Sequence, residues 1–148
     1  MPPQACRKVV FDTNIYIHAI RGGPAAREYA LLVNTLPFTY LSSVVSAELY
    51  LGALDSWGVR LVHRFVSQSE RVGRIVTPTH ASWNDAGGIL AKIGRKAPEF
   101  KSKFPILFNN ILIALCGLQI GASVCTKDEE DFRRIRRYKR FNLEIVST

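Results

Sequence analysis

Val9-Val10-Phe11 is an unbroken apolar run with an acid, Asp12, directly behind it. The run is short, β-branched and aromatic, and it does not alternate with polar residues. That pattern predicts a strand buried on both faces, as in parallel sheets, rather than a strand with one wet side. Thr13 and Asn14 are helix-starting residues, and Ile15, Ile17 and Ile20 follow at rough helical spacing. Asp12 is thereby predicted at the carboxyl end of a central strand, where open α/β sheets bind ligands. Taken alone, an Asp that caps a helix without doing chemistry explains the position equally well.

A second stretch sets the other half of the fold. Phe104 to Thr126 carries no charge and is long enough to span a bilayer. Asn109, Asn110, Gly117, Gln119, Gly121 and Ser123 interrupt it, however. A buried helix from about Phe108 to Ile120, stopped at Gly121, and then a buried strand over Ala122–Thr126 account for it without a membrane. This strand also runs into acids, in Thr126-Lys127-Asp128-Glu129-Glu130-Asp131.

Between and beyond these runs the chain alternates. Strands are predicted at Phe38–Ser42, Arg74–Pro78 and Asn142–Ser147. Helices are predicted at Ala25–Asn34, from Ser42 or Ser43 to Leu54, at Val59–Val72, and from a Thr79 cap through Ile93. Arg21–Pro24 reads as a loop, Asp55–Gly58 as a break, and the basic stretch Gly94–Phe104 as a loop or short turn. Alternation of this kind gives an α/β class with a mainly parallel sheet, and 148 residues suit one domain, 1–148.

The net charge of +8 favours a polyanionic partner, or an acidic protein. Cys6, Cys116 and Cys125 cannot all pair and lack metal-ligand spacing, so they read as reduced core thiols in the cytoplasm. Pro2, Pro3 and Arg7 stand where a signal peptide would need its apolar stretch. Trp57, Trp83 and the Phe residues read as core or interface, and the three histidines form no catalytic or ligand pattern.

If the strands that end at Asp12 and Thr126 are neighbours, Asp12, Asp128 and Asp131 meet at one sheet edge. Glu48, early in a helix leaving that edge, joins them. Oxygen ligands without Cys or His point to a hard cation, Mg²⁺ or Mn²⁺. Such an ion stabilises the attacking and leaving oxygens of a phosphodiester and acidifies a bound water. A basic surface around an acidic cleft suits a nuclease whose Lys and Arg residues hold the backbone.

Four segments carry a family resemblance over nearly the whole chain. Val9-Val10-Phe11-Asp12-Thr13-Asn14 resembles the opening motif of the PIN-domain ribonucleases, and Ser46-Ala47-Glu48-Leu49-Tyr50-Leu51-Gly52-Ala53 their second. Asn109-Asn110-Ile111-Leu112-Ile113-Ala114 resembles their third, and Thr126-Lys127-Asp128-Glu129-Glu130-Asp131-Phe132 their fourth. The short form is most similar to toxins of the VapC kind. The resemblance implies an α/β/α sandwich, Mg²⁺- or Mn²⁺-dependent cleavage of RNA, a homodimer, and a cognate antitoxin. It assigns catalysis to Asp12, Glu48, Asn110 and Asp128, and metal binding to Asp12, Asn110, Asp128 and Asp131. Thr13, Asn14, Thr126, Arg133, Arg136 and Arg137 are the expected substrate contacts, with Tyr138 available to stack on a base. A solvated helix face or an antitoxin-facing surface explains the basic run as well.

One residue departs from the pattern. Asn110 stands where the family carries Asp, so the site loses a negative charge, either naturally or by deliberate substitution. The alternative reading is a PIN-like module that binds RNA or protein but cuts weakly or not at all. A response-regulator phosphoacceptor is disfavoured, because Thr39–Ser43 and Ile75–Thr79 hold no Asp. Haloacid-dehalogenase chemistry lacks its second acid after Asp12, and no phosphate loop with a Lys is present.

Overall fold

Five strands, Val9–Phe11 (β1), Thr39–Ser42 (β2), Ile75–Val76 (β3), Ser123–Thr126 (β4) and Asn142–Ile145 (β5), form the sheet of the computed structural model. They pair in parallel throughout, in the order β3-β2-β1-β4-β5. The structure describes residues 7–147, so Cys6 and the expectations placed on the first prolines lie outside it. Every residue of β1 and β4 is buried. Their continuous apolar runs are what a sheet covered on both faces requires.

Among the described residues, seven α-helices cover the two faces of the sheet in a three-layer α/β/α sandwich. They are Thr13–Gly22 (α1), Arg27–Thr35 (α2), Ser43–Gly52 (α3), Ser56–Arg71 (α4), His80–Lys96 (α5), Phe104–Ile120 (α6) and Glu129–Arg136 (α7). The chain leaves β1 toward β2 and β3, then returns to the other side of β1 as β4 and β5. The switch in direction therefore falls between β1 and β4. Phe11 pairs with Cys125, which sets Asp12 beside Thr126 at the carboxyl edge.

The uncharged stretch is the core helix and the strand that follows it. Leu107 and the run Asn110–Gly117 of α6 are buried. Pro98–Ile120 is long and apolar enough to cross a membrane by length and composition, yet half of its most apolar window is buried inside the fold. Gly121 ends α6 with φ 68°, a left-handed turn that glycine adopts at no steric cost. Gly117 lets α6 lie close on β4, because a Cβ there would meet Val124 Cγ2 at 2.5 Å. Cys116 and Cys125 are buried free thiols.

Several boundaries move, each for a local reason. The region Gly94–Phe104 is the short turn of the two expectations rather than a loop. Helix α5 runs on to Lys96, a 3-10 turn spans Pro98–Lys103, and α6 begins at Phe104 rather than Phe108. Pro105 falls in the first turn of α6, where a missing amide hydrogen costs nothing. Asp55 does not simply break a helix: its carboxylate accepts from the Gly58 amide at 2.7 Å and starts α4 at Ser56. Helix α1 extends through Gly22, and a 3-10 turn over Gly23–Ala25 delays α2 to Arg27. Trp57 and Trp83 are not core residues, being 58% and 48% exposed.

Candidate functional site

At the carboxyl edge of β1 and β4 one hydroxyl ties four residues together. Thr126 Oγ1 donates to Asp12 Oδ2 at 2.7 Å. It accepts from the Asp128 amide at 2.9 Å and from Asn14 Nδ2 at 3.4 Å. The other Asp12 oxygen accepts from the Thr13 amide at 2.8 Å. Asp12 is thus the N-cap of α1 as well as a buried carboxylate, so the capping and the functional readings coexist.

Glu48 reaches the same edge from α3. It is half-buried, and the Thr13 hydroxyl donates to its Oε1 at 2.8 Å. On the other side Asp128 caps α7, its carboxylate accepting from the Asp131 amide at 3.1 Å. Thr13 and Thr126 therefore bracket Asp12 and connect it to Glu48 and Asp128. The acids lie close enough to act on one another. Burial pushes the Asp12 carboxyl from 3.8 up to about 6, and the charges of Glu48 and Asp128 add to that rise against the hydrogen bonds from Thr126 and Thr13. Asp128 is raised too, first by burial.

Asn110 and Asp131 adjoin Asp128, whose carboxyl the neighbouring Asp131 carboxylate also raises. Asn110, buried on α6, donates from Nδ2 to Asp131 Oδ2 at 3.4 Å. The other oxygen of Asp131 faces Lys103 Nζ at 3.3 Å, while the carboxylate itself is almost wholly buried. An ammonium and an amide thus already satisfy both oxygens of this acid. Lys103 was hidden in the sequence within a basic stretch, and no linear motif marks it. It enters the site because the 3-10 turn Pro98–Lys103 ends where α6 begins.

The donor set has a mixed fit to a hard divalent cation. Asp12, Glu48 and Asp128 offer oxygen alone, which suits Mg²⁺ or Mn²⁺. The burial that raises Asp12, and the smaller repulsion from Glu48 and Asp128, are what such an ion would offset. Among the described residues, however, no group of three or more His, Cys, Asp or Glu side chains is drawn together tightly enough to hold a metal. The Asn110–Asp131 corner, compensated by Lys103, fits a second ion poorly.

The expected substrate contacts divide. Thr13, Asn14 and Thr126 are in the site, and Asn14 Oδ1 also accepts from the Lys127 amide at 3.4 Å. Arg133 is on the far part of α7 and pairs with Glu129 at 2.8 Å. Arg136 Nε donates to the Phe141 carbonyl at 2.9 Å, a structural bond that holds the turn before β5. Arg137 lines a cavity beside α7 with Lys96, Arg134 and Tyr138.

Comparison with known proteins agrees with this fold. Structures of similar fold include VapBC2 from Rickettsia felis bound to a DNA fragment from their promoter (TM-score 0.63, 21% identity, covering 94% of this chain and 98% of that one). DNA-bound VapBC from Salmonella typhimurium gives a TM-score of 0.65 at 22% identity, over 94% of this chain and 98% of that one. FitAcB from Neisseria gonorrhoeae gives 0.60 at 24%, over 91% and 95%. No curated protein matches the chain. The PIN domain family model matches residues 9–138, and the chain belongs to the PIN-domain family.

Proposed function

We propose that this protein is a metal-dependent endoribonuclease, the toxin of a toxin–antitoxin pair. The observation that carries the reading is the bracketed acid edge, with Asp12 buried between two threonines and repelled by Glu48 and Asp128. Asp12, Glu48 and Asp128 are the residues we assign to hold Mg²⁺ or Mn²⁺, which when bound supplies Lewis acidity and a water of lowered pKa. Asp131 would add an oxygen only by giving up its Lys103 or Asn110 contact.

The chain's own residues do the positioning. Thr126 and the Thr13 amide fix both oxygens of Asp12, so its carboxylate is oriented before any ligand arrives. Thr13 holds Glu48 toward the same point, where it can take the proton of an attacking water. Lys103, about half exposed beside Asp131, is the cation we assign to a phosphate oxygen. Asn14 and the exposed Arg137 would steady the RNA backbone.

An antitoxin partner is supported by the relatives of similar fold, which are VapBC and FitAB complexes. It is also supported by the α3–α4 corner, where Leu51, Leu54 and Trp57 are 83%, 93% and 58% exposed beside a groove lined by Ile17, Ile20 and Leu49. Contiguous apolar surface of this kind marks a protein interface. A homodimer and a cytoplasmic location complete the reading, the latter supported by the two buried free thiols.

The test is cleavage of RNA by the purified protein with Mn²⁺. Cutting should stop with EDTA and in Asp12→Ala and Glu48→Ala. Unimpaired cutting by both variants would remove the assignment. The second reading, a module that retains RNA without cutting it, is favoured by one observation: Asn110 and Lys103 already satisfy Asp131. RNA retention without turnover at saturating Mn²⁺ would select it.

A further inference from the structure

A cavity of about 240 Å³ lies along α7, one helical turn beyond Asp131. Lys96, Arg134 and Arg137 contribute cations to its wall, Phe100 and Tyr138 aromatic rings, and no acidic residue lines it. Arg134 is built in rather than free. Its guanidinium carbon sits 4.1 Å from the centre of the Phe100 ring, and one amine donates to Glu130 at 3.4 Å. Its Nε is buried with no partner, an orphaned donor that costs free energy until an acceptor approaches. Lys96 and Arg137 are exposed at the rim.

The cavity is joined to the acid edge by two elements at once. On α7, Arg134 follows Asp131 by three residues, so the two share a face one turn apart. On the 3-10 turn Pro98–Lys103, Lys103 meets Asp131 while Phe100 stacks on Arg134. A strand whose phosphodiester lies at Asp12 and Asp128 therefore has a cationic, ring-lined recess beside it. The volume is below the roughly 300 Å³ at which pockets enclose a drug-sized ligand, and it suits one nucleotide unit of a passing strand.

We propose that this recess is a subsite for single-stranded RNA outside the cleavage point. Arg137 and Lys96 receive a backbone phosphate, and Tyr138 stacks on the adjoining base. The combination of a cationic groove with an aromatic platform is how proteins hold single strands without reading sequence. The proposal rests on the ribonuclease reading for its direction along the strand, but binding can be measured without cutting.

The experiment is fluorescence anisotropy of a labelled twelve-nucleotide RNA in EDTA, across a salt series. It compares the wild type, Lys96→Ala/Arg137→Ala, Tyr138→Ala, and a charge-matched control on the exposed face of α4, Arg60→Ala/Arg64→Ala. Thermal unfolding establishes that each variant is folded. The recess double variant should bind roughly tenfold more weakly, with the salt slope shallower by about 0.7, as expected for one lost phosphate contact on a single strand. Tyr138→Ala should weaken binding with the slope unchanged, and the α4 control should match the wild type. Equal losses in the control would show bulk charge at work and overturn the subsite, as would a wild type that binds no RNA. Recess variants that bind RNA normally but lose an acidic peptide would overturn it in favour of a protein site. If cutting fails while these binding results hold, the subsite stands and the ribonuclease reading falls.

Discussion

Asn110 donates its side-chain amide to Asp131 across 3.4 Å, and Lys103 faces the other oxygen of the same carboxylate at 3.3 Å. The amide is the group that lets two side chains, both acids in the family pattern, touch without repulsion in the absence of a cation. A carboxylate at position 110 would have no proton to donate and would face Asp131 as a like charge.

Asn110→Asp is therefore expected to lower the melting temperature in EDTA and to gain more from added Mn²⁺ than the wild type does. Mn²⁺-dependent cleavage should rise roughly tenfold or more, about 1.4 kcal/mol in activation free energy. Thermal unfolding with and without Mn²⁺, beside an RNA cleavage assay, checks both parts. An unchanged melting temperature in EDTA would show that the amide contact contributes nothing.

Thr126 is the hub of the edge. Thr126→Val keeps the shape but removes the donor to Asp12 and the acceptor for the Asp128 amide and Asn14. The expected cost is about 1–3 kcal/mol, the range for buried groups left unpaired, with a larger loss in cleavage than in RNA binding. Thr126→Ser should keep most of both. Denaturant unfolding and single-turnover cleavage of the pair separate the hydroxyl from the methyl.

Much of this edge could be read from residue order. The apolar runs before Asp12 and Thr126 are continuous, and only a sheet covered on both faces accepts such runs, so their pairing at the centre follows. Gly121 as the stop of α6 and Thr79 as the cap of α5 follow from local chemistry. Other features are legible only in three dimensions. Lys103 meets Asp131 across the fold, and nothing in the basic stretch distinguishes it from Lys101. Arg136 resembles a phosphate contact by sequence, yet its Nε is used by the Phe141 carbonyl. Asp55 followed by Gly58 looked like a break because a capping Asp and a turn Asp share the same neighbours.

The raised Asp12 gives a stability prediction with a definite sign. A carboxyl at 3.8 in the unfolded chain and about 6 in the fold binds its proton more tightly when folded. Its contribution to stability is full at low pH and falls as pH rises from about 4 through about 6. Above that range the ionised, buried acid opposes folding. Asp12→Asn should therefore be more stable than the wild type at pH 7.5, by about 1–3 kcal/mol at most, and the difference should shrink toward pH 4. Chemical unfolding across pH measures it. A variant less stable at pH 7.5 would mean that the capping bond to the Thr13 amide outweighs the burial of charge.

The most direct measurement is calorimetric titration of Mn²⁺ into the wild type and Asp12→Asn at pH 7.5 and at pH 5. The wild type should bind at pH 7.5 and more weakly at pH 5, where protons compete for Asp12, and Asp12→Asn should lose binding at both. Equal heats from the two proteins, or no heat from the wild type even after Asn110→Asp, would contradict the assignment of this sheet edge as a divalent-cation site.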